Sequence, residues 1–162
     1  MIKHRIAVIS IALFLAGCTR SKTVSTPSGD VKVEESGKSG QSTVTFTGKD
    51  GAKMTIAAEG TKLPDDYPKD VPVASGAKIV MATSVNNADN NGSSLVLESP
   101  DSCDKTVAFY KKALADNGWK SEATVAAETM TMFTATKDTR QLAVQITDSD
   151  GKCSVTQTVG KK

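Results

Sequence analysis

Three thiols and one imidazole are the most reactive side chains in this sequence. The cysteines are Cys18, Cys103 and Cys153, and the single histidine is His4. Cys18 ends the apolar run "LFLAGC" near the start of a chain that is otherwise mostly polar. If the residues before Cys18 are removed, no histidine is left for acid–base catalysis, for Ser-His or Cys-His pairs, or for most zinc and iron sites. The candidate chemistry therefore centres on the thiols.

Residues 1–17 have the layout of an export signal. A short positive segment, Lys3-His4-Arg5, precedes an apolar stretch over residues 6–14 that only Ser10 interrupts. About nine apolar residues are too few to cross a bilayer as a helix, which needs about 20. This pattern predicts that residues 1–17 form a signal peptide that is removed during export.

The four residues 15–18, "LAGC", resemble the lipobox of bacterial lipoproteins. Ala16 and Gly17 are small enough for a narrow peptidase site, and the Cys18 thiol can carry a diacylglycerol as a thioether. The resemblance implies cleavage before Cys18 and acylation of the new amine, which together anchor a protein stably in a membrane. Because Thr19 rather than Asp follows Cys18, the outer membrane is favoured over the inner membrane. An ordinary secretory signal that happens to contain a cysteine is the alternative.

Cys103 and Cys153 then remain as an even pair in an exported chain, which indicates a disulfide. Cys103 lies on the apolar stripe of a predicted helix, and Cys153 lies on the apolar face of the last predicted strand. Both should point into one helix–sheet layer, with Cα atoms within about 7 Å of each other. The alternative is a reactive Cys103 thiol, because the first turn of a helix can lower a thiol pKa.

Other groups offer weaker candidates for a site. Residues 148–151, "DSDG", begin like a calcium loop but lack its later ligands, so a hairpin turn accounts for them better. The acidic candidates are Asp65, Asp66 and Asp70, and the amide candidates are Asn86, Asn87, Asn90 and Asn91. The aromatic candidates are Tyr67, Tyr110 and Trp119, and the thioether candidates are Met130 and Met132. A solvated loop explains the asparagines and core packing explains most of the aromatics. The sequence therefore predicts no catalytic residue, no metal ligand and no cofactor site.

Charge balance limits the partners that the mature chain can have. Removal of 17 of the 162 residues leaves 145, enough for one modest domain. Of the 20 basic side chains, Lys3 and Arg5 are lost with the signal, which leaves 18 against 18 acidic ones. An evenly mixed surface lacks the basic patch of a nucleic-acid-binding protein. We expect membrane lipid, reached through acylated Cys18, and another envelope protein as partners, and no nucleic acid.

The elements that position these groups divide into a tether, a small meander and a larger domain. Residues 18–30 are rich in Ser and Thr and predict a flexible tether. Residues 31–62 contain three alternating polar–apolar segments with turn signals between them, which predicts a three-stranded β-meander. Residues 63–78 are an extended proline-rich entry into a domain that spans residues 63–162.

The period of the apolar residues changes from two to 3.6 and back within the larger domain. Two strands are followed by a helix that starts at Ser99-Pro100 and ends at Asn117-Gly118, and then by four strands. We predict an α+β fold in the order β-β-α-β-β-β-β, with one amphipathic helix on a mostly antiparallel sheet. The expected core is Val107, Tyr110, Leu114, Leu142, Val144 and Val155.

The segments "LPDDYPKDVPVASGAKI" and "FYKKALADNGW" resemble a group of small bacterial envelope lipoproteins over roughly residues 63–160. That resemblance implies a lipid-anchored protein of the cell envelope and carries over no site residues. We expect Phe109, Tyr110 and Leu114 to pack the helix onto the sheet. A non-enzymatic structural or protein-interaction role is the expectation, and a module that binds a small ligand or glycan is the alternative.

Overall fold

The computed structural model describes residues 20–36, 41–58, 63–64, 67–87 and 91–162. Within these ranges the chain forms one helix and ten strands. The elements are β1 Arg20–Thr26, β2 Gly29–Ser36, β3 Gln41–Gly48, β4 Lys53–Ala57, β5 Lys78–Asn86, β6 Asn91–Ser99, α1 Cys103–Asp116, β7 Lys120–Ala127, β8 Met130–Lys137, β9 Arg140–Ser149 and β10 Lys152–Lys161. None of the described helices is long and apolar enough to cross a membrane.

All ten strands belong to one antiparallel sheet in the order β1-β2-β3-β4-β5-β6-β10-β9-β8-β7. The last strand of the chain, β10, therefore lies in the interior of the sheet between β6 and β9. The strands β1 and β7 are its two edges. The predicted class, one helix on a mostly antiparallel sheet, agrees with this architecture.

The number of strands differs from the prediction, because residues 20–26 are not a tether. They form β1, which pairs with β2 over its full length from Arg20↔Glu35 to Thr26↔Gly29. Backbone pairing needs no apolar period, and the β-branched residues Thr23, Val24 and Thr26 suit an extended chain. Gly29 permits the close approach of β2 to β3 after the turn, since a Cβ atom there would lie 2.2 Å from the Thr47 carbonyl oxygen. The meander thus has four strands, and β4 joins it to β5 without a break.

The core lies between α1 and the central and C-terminal strands. Leu95, Leu142, Val144 and Val155 are almost fully buried, and Tyr110 and Leu114 of α1 pack against them. The helix approaches β7, β8, β9 and β10. Five of the six expected core residues are buried, and Val107 is only partly buried at the margin of the cluster.

Two details of the helix differ from the sequence-based expectation. Its N-cap is Ser102 rather than Ser99, because β6 continues to Ser99 and the chain needs the intervening residues to turn. The Ser99 hydroxyl instead lies 2.8 Å from that of Thr106, a buried residue on the first turn. Phe109 remains exposed, with its ring edge-on to that of Tyr110, because only the Tyr110 side of the helix faces the sheet.

The apolar residues of the sheet change faces at β5. Ala82 and Ser84 are buried on the side of the helix, in register with Leu95 and Ser93. Met81, Thr83 and Val85 alternate with them and therefore lie on the opposite side. The strand register continues this opposite side into the meander through Val85↔Met54 and Met54↔Phe46. Except for Ala57, which ends β4 and is buried in the core beside Ala82, the apolar residues of β1–β4 thus lie on the face that the helix does not cover.

Candidate functional site

The proline-rich entry segment crosses the side of the sheet that the helix covers. Polar groups of this segment form hydrogen bonds with side chains of the sheet and of Trp119, which follows the helix. Asp70, on a turn of this segment, accepts two hydrogen bonds from the Arg140 guanidinium, at 2.9 and 2.6 Å. The Lys137 ammonium lies 2.7 Å from the same carboxylate. Arg140 begins β9 and Lys137 ends β8, so the hairpin between these strands aims both cations at one acid.

Trp119 ties this ionic cluster to the end of the helix. Its indole N–H donates to the Asp70 carbonyl oxygen at 2.8 Å, and the Arg140 guanidinium carbon lies 5.1 Å from its ring centroid. The ring itself is buried. Trp119 therefore serves as a packing and anchoring residue for the entry segment, and its buried faces cannot act as a platform for a sugar ring.

A second polar cluster lies in the core around Gln157 of β10. The Gln157 amide nitrogen donates to the Pro72 carbonyl at 2.6 Å and to the Tyr110 hydroxyl oxygen at 3.0 Å. Its carbonyl oxygen accepts a 2.6 Å hydrogen bond from the Tyr67 hydroxyl. The side chain is fully buried, so these three bonds compensate for the loss of water. They connect the entry segment, the helix and the middle of the sheet.

The ionisation of these groups is unfavourable for acid–base catalysis near neutral pH. The Arg140 hydrogen bonds, with help from Lys137 and against partial burial, hold the pKa of Asp70 far below its usual range. The Asp70 hydrogen bond likewise raises the pKa of Arg140. Burial raises the pKa of Tyr110 to about 12 and that of Tyr67 further, so both phenols stay protonated. Each group remains in one charge state across the physiological range.

An open cleft lies beside the ionic cluster, at the end of the sheet where the β5–β6 and β9–β10 strand ends meet. Its volume is ≈ 360 Å³. Asn86, Asn91 and Ser93 line one side, and Arg140 and Lys161 line another. Amide, hydroxyl and cationic groups of this kind can hydrogen-bond a polar or anionic ligand. Residues 88–90, which include the predicted candidate Asn90, lie outside the described residues.

The two distal cysteines meet as predicted. Cys103 opens α1, Cys153 is the second residue of β10, and their Cα atoms are 5.1 Å apart in a disulfide-compatible pair. The geometric requirement of about 7 Å or less is therefore met. Cys153 is buried and Cys103 partly buried. The pair joins the start of the helix to the centre of the sheet, and the alternative of an isolated reactive Cys103 thiol has no support in this geometry.

The remaining candidates from the sequence have structural roles or lie outside the described residues. The Asp148 carboxylate accepts a hydrogen bond from the Gly151 backbone, as expected for the turn between β9 and β10. Tyr67, Tyr110 and Trp119 are buried packing residues, and Met130 and Met132 are half-buried on β8. Within the described ranges, no group of three His, Cys, Asp or Glu side chains could hold a metal ion. Cys18, Asp65 and Asp66 lie outside those ranges.

Sequence reasoning missed Arg140 and Gln157, the centres of the two polar clusters. Gln157 carried a usable signal, since it interrupts the inward-facing alternation of Cys153, Val155 and Val159 on one strand. An inward glutamine in such a row predicts a buried polar network. Arg140 gave no comparable signal, because its partner Asp70 is 70 residues away in the sequence.

Comparison with known proteins gives one partial similarity. A family model described as START domain-like matches residues 79–152, which is 74 of the 162 residues. The match begins in β5, contains α1 and ends as β10 starts. A search of curated proteins and a search of solved structures found no match.

Proposed function

We propose that this chain is an exported lipoprotein, held in the bacterial cell envelope by acylated Cys18, with a non-enzymatic structural or protein-interaction role. The "LAGC" lipobox at residues 15–18 and the preceding apolar run support the anchor. The residue after Cys18 favours the periplasmic side of the outer membrane. A disulfide-compatible cysteine pair suits the oxidising compartment that this address implies.

One observation carries the non-enzymatic part of the proposal. The side chains with the most chemical capacity, Asp70, Arg140, Gln157 and two tyrosines, are bound to one another across separate elements. Asp70 stays ionised and the phenols stay protonated, so these groups fix the entry segment onto the sheet. Arg140 also lines the cleft, but its pKa is raised and it stays charged, whereas acid–base catalysis needs a group with a pKa near the working pH. The polar clusters thus support a rigid domain that presents a surface.

Detergent partitioning tests the anchor. The wild-type chain should enter the detergent phase, and its N-terminal peptide should begin at Cys18 and carry the mass of acyl chains. Cys18→Ser should keep residues 1–17 or partition into the aqueous phase. Ser21→Ala is the matched control, because it changes a small exposed side chain close to Cys18 without touching the lipobox or the cysteine pair, and it should partition like wild type. A Cys18→Ser protein in the detergent phase without its signal would reject the lipobox reading.

Cross-linking in native membranes tests the interaction role. A photoreactive residue at exposed Lys111 or Phe109 should yield a specific adduct if the outer side of α1 meets an envelope protein. The same probe at Asp138, in the turn between β8 and β9, is the control for random contact. Equal adduct patterns at these positions would contradict a specific surface on the helix.

The cleft of ≈ 360 Å³ favours a second candidate function, a module that binds a small polar ligand or glycan. Asn91→Trp should fill the cleft, whereas Ser94→Trp places the same bulk on the opposite face of the same strand. Native mass spectrometry of each protein, purified from membranes, reads out a co-purifying molecule. A mass adduct that Asn91→Trp removes and Ser94→Trp retains would favour this second function over the first.

A further inference from the structure

The four N-terminal strands have one apolar face that none of the described elements covers. Strand register aligns Val24, Val31, Phe46 and Met54 in one row across β1–β4. Val24 is 59% exposed, Phe46 49% and Met54 40%, although all are large apolar residues. A parallel row contains Val33, Val44 and Ile56. We call these seven residues the meander face.

The other side of the same four strands is polar. Thr45 and Thr55 lie opposite each other with hydroxyl oxygens 3.4 Å apart, and Lys32 pairs with Glu34 at 2.5 Å. Each of these residues alternates with a member of the meander face, so the two sides differ sharply in polarity up to the end of β4, where Ala57 is apolar and buried on the other side. Phe46, Met54 and Val85 also border a shallow depression of ≈ 280 Å³ on the apolar side. Exposed apolar patches of this kind mark interaction surfaces.

The position of β1 in the chain places the meander face close to Cys18, the proposed site of the lipid anchor. β1 begins at Arg20, two residues after Cys18, and two extended residues span at most about 7 Å. Val24 lies about 13 Å further along β1, and Met54 lies about 14 Å from Val24 across three strand spacings. Val24 of the meander face is therefore within about 20 Å of Cys18, the proposed acylation site, along the chain.

We propose that the meander face lies in the bilayer interface and binds the lipid surface beside the anchor. This inference rests on the proposed acylation of Cys18. The apolar side chains enter the headgroup–acyl boundary, where amphipathic surfaces gain from burial of their apolar area. Lys22 is exposed on the same side of β1 and can meet lipid phosphates. The paired backbone of β2, β3 and β4 has few unsatisfied polar groups to oppose this contact.

Such contact orients the whole molecule. The helix lies on the opposite side of the continuous sheet and therefore faces away from the bilayer. Its outer surface is then displayed to the periplasm, while the sheet holds the domain close to the membrane. The anchor at Cys18 ties the sheet to the bilayer. A second copy or another protein on the meander face would therefore have to fit between the sheet and the lipid.

Site-specific fluorescence on the full acylated protein tests this orientation. In the acylated protein Cys18 is a thioether and the other two cysteines are paired, so one introduced cysteine is the single free thiol. Met54→Cys carries an NBD label on the meander face, and Lys53→Cys carries it on the adjacent, opposite-facing residue. In phosphatidylethanolamine–phosphatidylglycerol vesicles, the label at position 54 should emit at shorter wavelength. Added dithionite should bleach it several-fold more slowly than the label at position 53.

A second matched pair keeps the test independent of one variant. Phe46→Cys and Thr45→Cys are neighbours on β3 that point to opposite faces, and position 46 should be the protected one. Equal, water-like signals at both pairs would overturn the inference. Protection of 46 and 54 in native envelopes but not in pure lipid vesicles would assign a protein cover and would also overturn it.

Mass spectrometry of the same samples separates the two hypotheses. Acyl mass on Cys18 together with unprotected labels at 46 and 54 leaves the proposed anchor intact and rejects the meander face as the lipid contact. A protein without acyl mass on Cys18 rejects both, because the argument from chain length then has no anchor.

Discussion

Both halves of the sheet alternate polar and apolar residues, but their apolar residues lie on opposite faces. In β6, β8, β9 and β10 the apolar residues face α1, and they form a core with almost no exposed surface. In β1–β4 the large apolar residues face the other way, several of them about half exposed, and Ala57 at the end of β4 joins the core. Both halves share continuous backbone pairing through β5. Hydrogen bonding therefore extends the sheet, whereas side-chain burial decides which part of it forms a stable core.

The halves also differ in the side-chain interactions that join their elements. The cysteine pair, the Gln157 network and the Asp70–Arg140 pair all lie on the side of the helix, from the entry segment onward. The meander is held mainly by backbone pairing between its strands. Its described side chains add a contact between the Thr45 and Thr55 hydroxyls and a surface ion pair between Lys32 and Glu34. We infer that the C-terminal half supplies most of the free energy of folding and that the meander depends on it through β4 and β5.

Among the substitutions that test this difference between the halves, loss of the cysteine pair should lower the free energy of unfolding most. Cys103→Ser opens a bridge that spans 50 residues, and chain entropy predicts a loss of about 4 kcal/mol. Thermal melting measures this loss, and Cys153→Ser should match it. Hydrogen exchange should report faster opening of α1 and β10 with unchanged strand pairing. A melting temperature equal to that of wild type would show that the two cysteines are not bonded in the folded protein.

Core truncation should separate the halves directly. Leu114→Ala removes a buried side chain between α1 and the sheet and should cost about 3 kcal/mol. Val24→Ala, an equally aliphatic truncation on the exposed face of β1, should cost about 0.5 kcal/mol or less in solution. Urea denaturation of the two variants provides the comparison. Similar losses would mean that the meander face is packed in the native protein.

Substitution of Gln157 should reveal the cost of an unsatisfied polar core. Gln157→Leu leaves the Tyr67 hydroxyl and the Pro72 carbonyl without their partner, at a cost of about 2 kcal/mol. Adding Tyr67→Phe to this variant should recover part of the loss, since it removes one of the orphaned groups. Denaturant titration of the single and double variants tests this coupling, and strict additivity would exclude it.

The ionic cluster should produce the smallest effect, and one that depends on pH. Asp70→Asn should lower stability by about 1 kcal/mol at pH 7, because the pairs are partly exposed. The folded state lowers the pKa of Asp70, so the unfolded chain takes up the proton first as the pH falls. The wild-type advantage should thus be complete above about pH 5 and disappear progressively below about pH 4. An advantage that instead grows with acid would mean that Asp70 is protonated in the folded protein.

Much of the C-terminal half was predictable because its signals are local. A stripe at 3.6-residue spacing placed Tyr110 and Leu114 on the buried side of the helix, and alternation placed Leu142 and Val144 inward. Two independent periods also placed Cys103 and Cys153 in one layer, and their distance agrees. The start of the helix was placed three residues too early, because β6 continues to Ser99 and helix ends are the least certain part of a local pattern.

The candidate site was less predictable, because it depends on contacts between distant parts of the chain. The Asp70–Arg140 and Tyr67–Gln157 bonds span 70 and 90 residues. Polar residues at such positions look like surface residues until the entry segment is laid across the sheet. β1 was missed for a related reason, since an edge strand can be held by backbone pairing alone and needs no apolar pattern of its own.

The sequence by itself determined the amphipathic helix, the inward rows of the core and the layer that Cys103 and Cys153 share. These properties follow from covalent order and from local period, which a linear chain already contains. Only the tertiary structure decided which side of the sheet the helix covers. Each strand offers two faces of alternating residues, and the packing of α1 on one side of β7–β10 left the apolar side of β1–β4 uncovered.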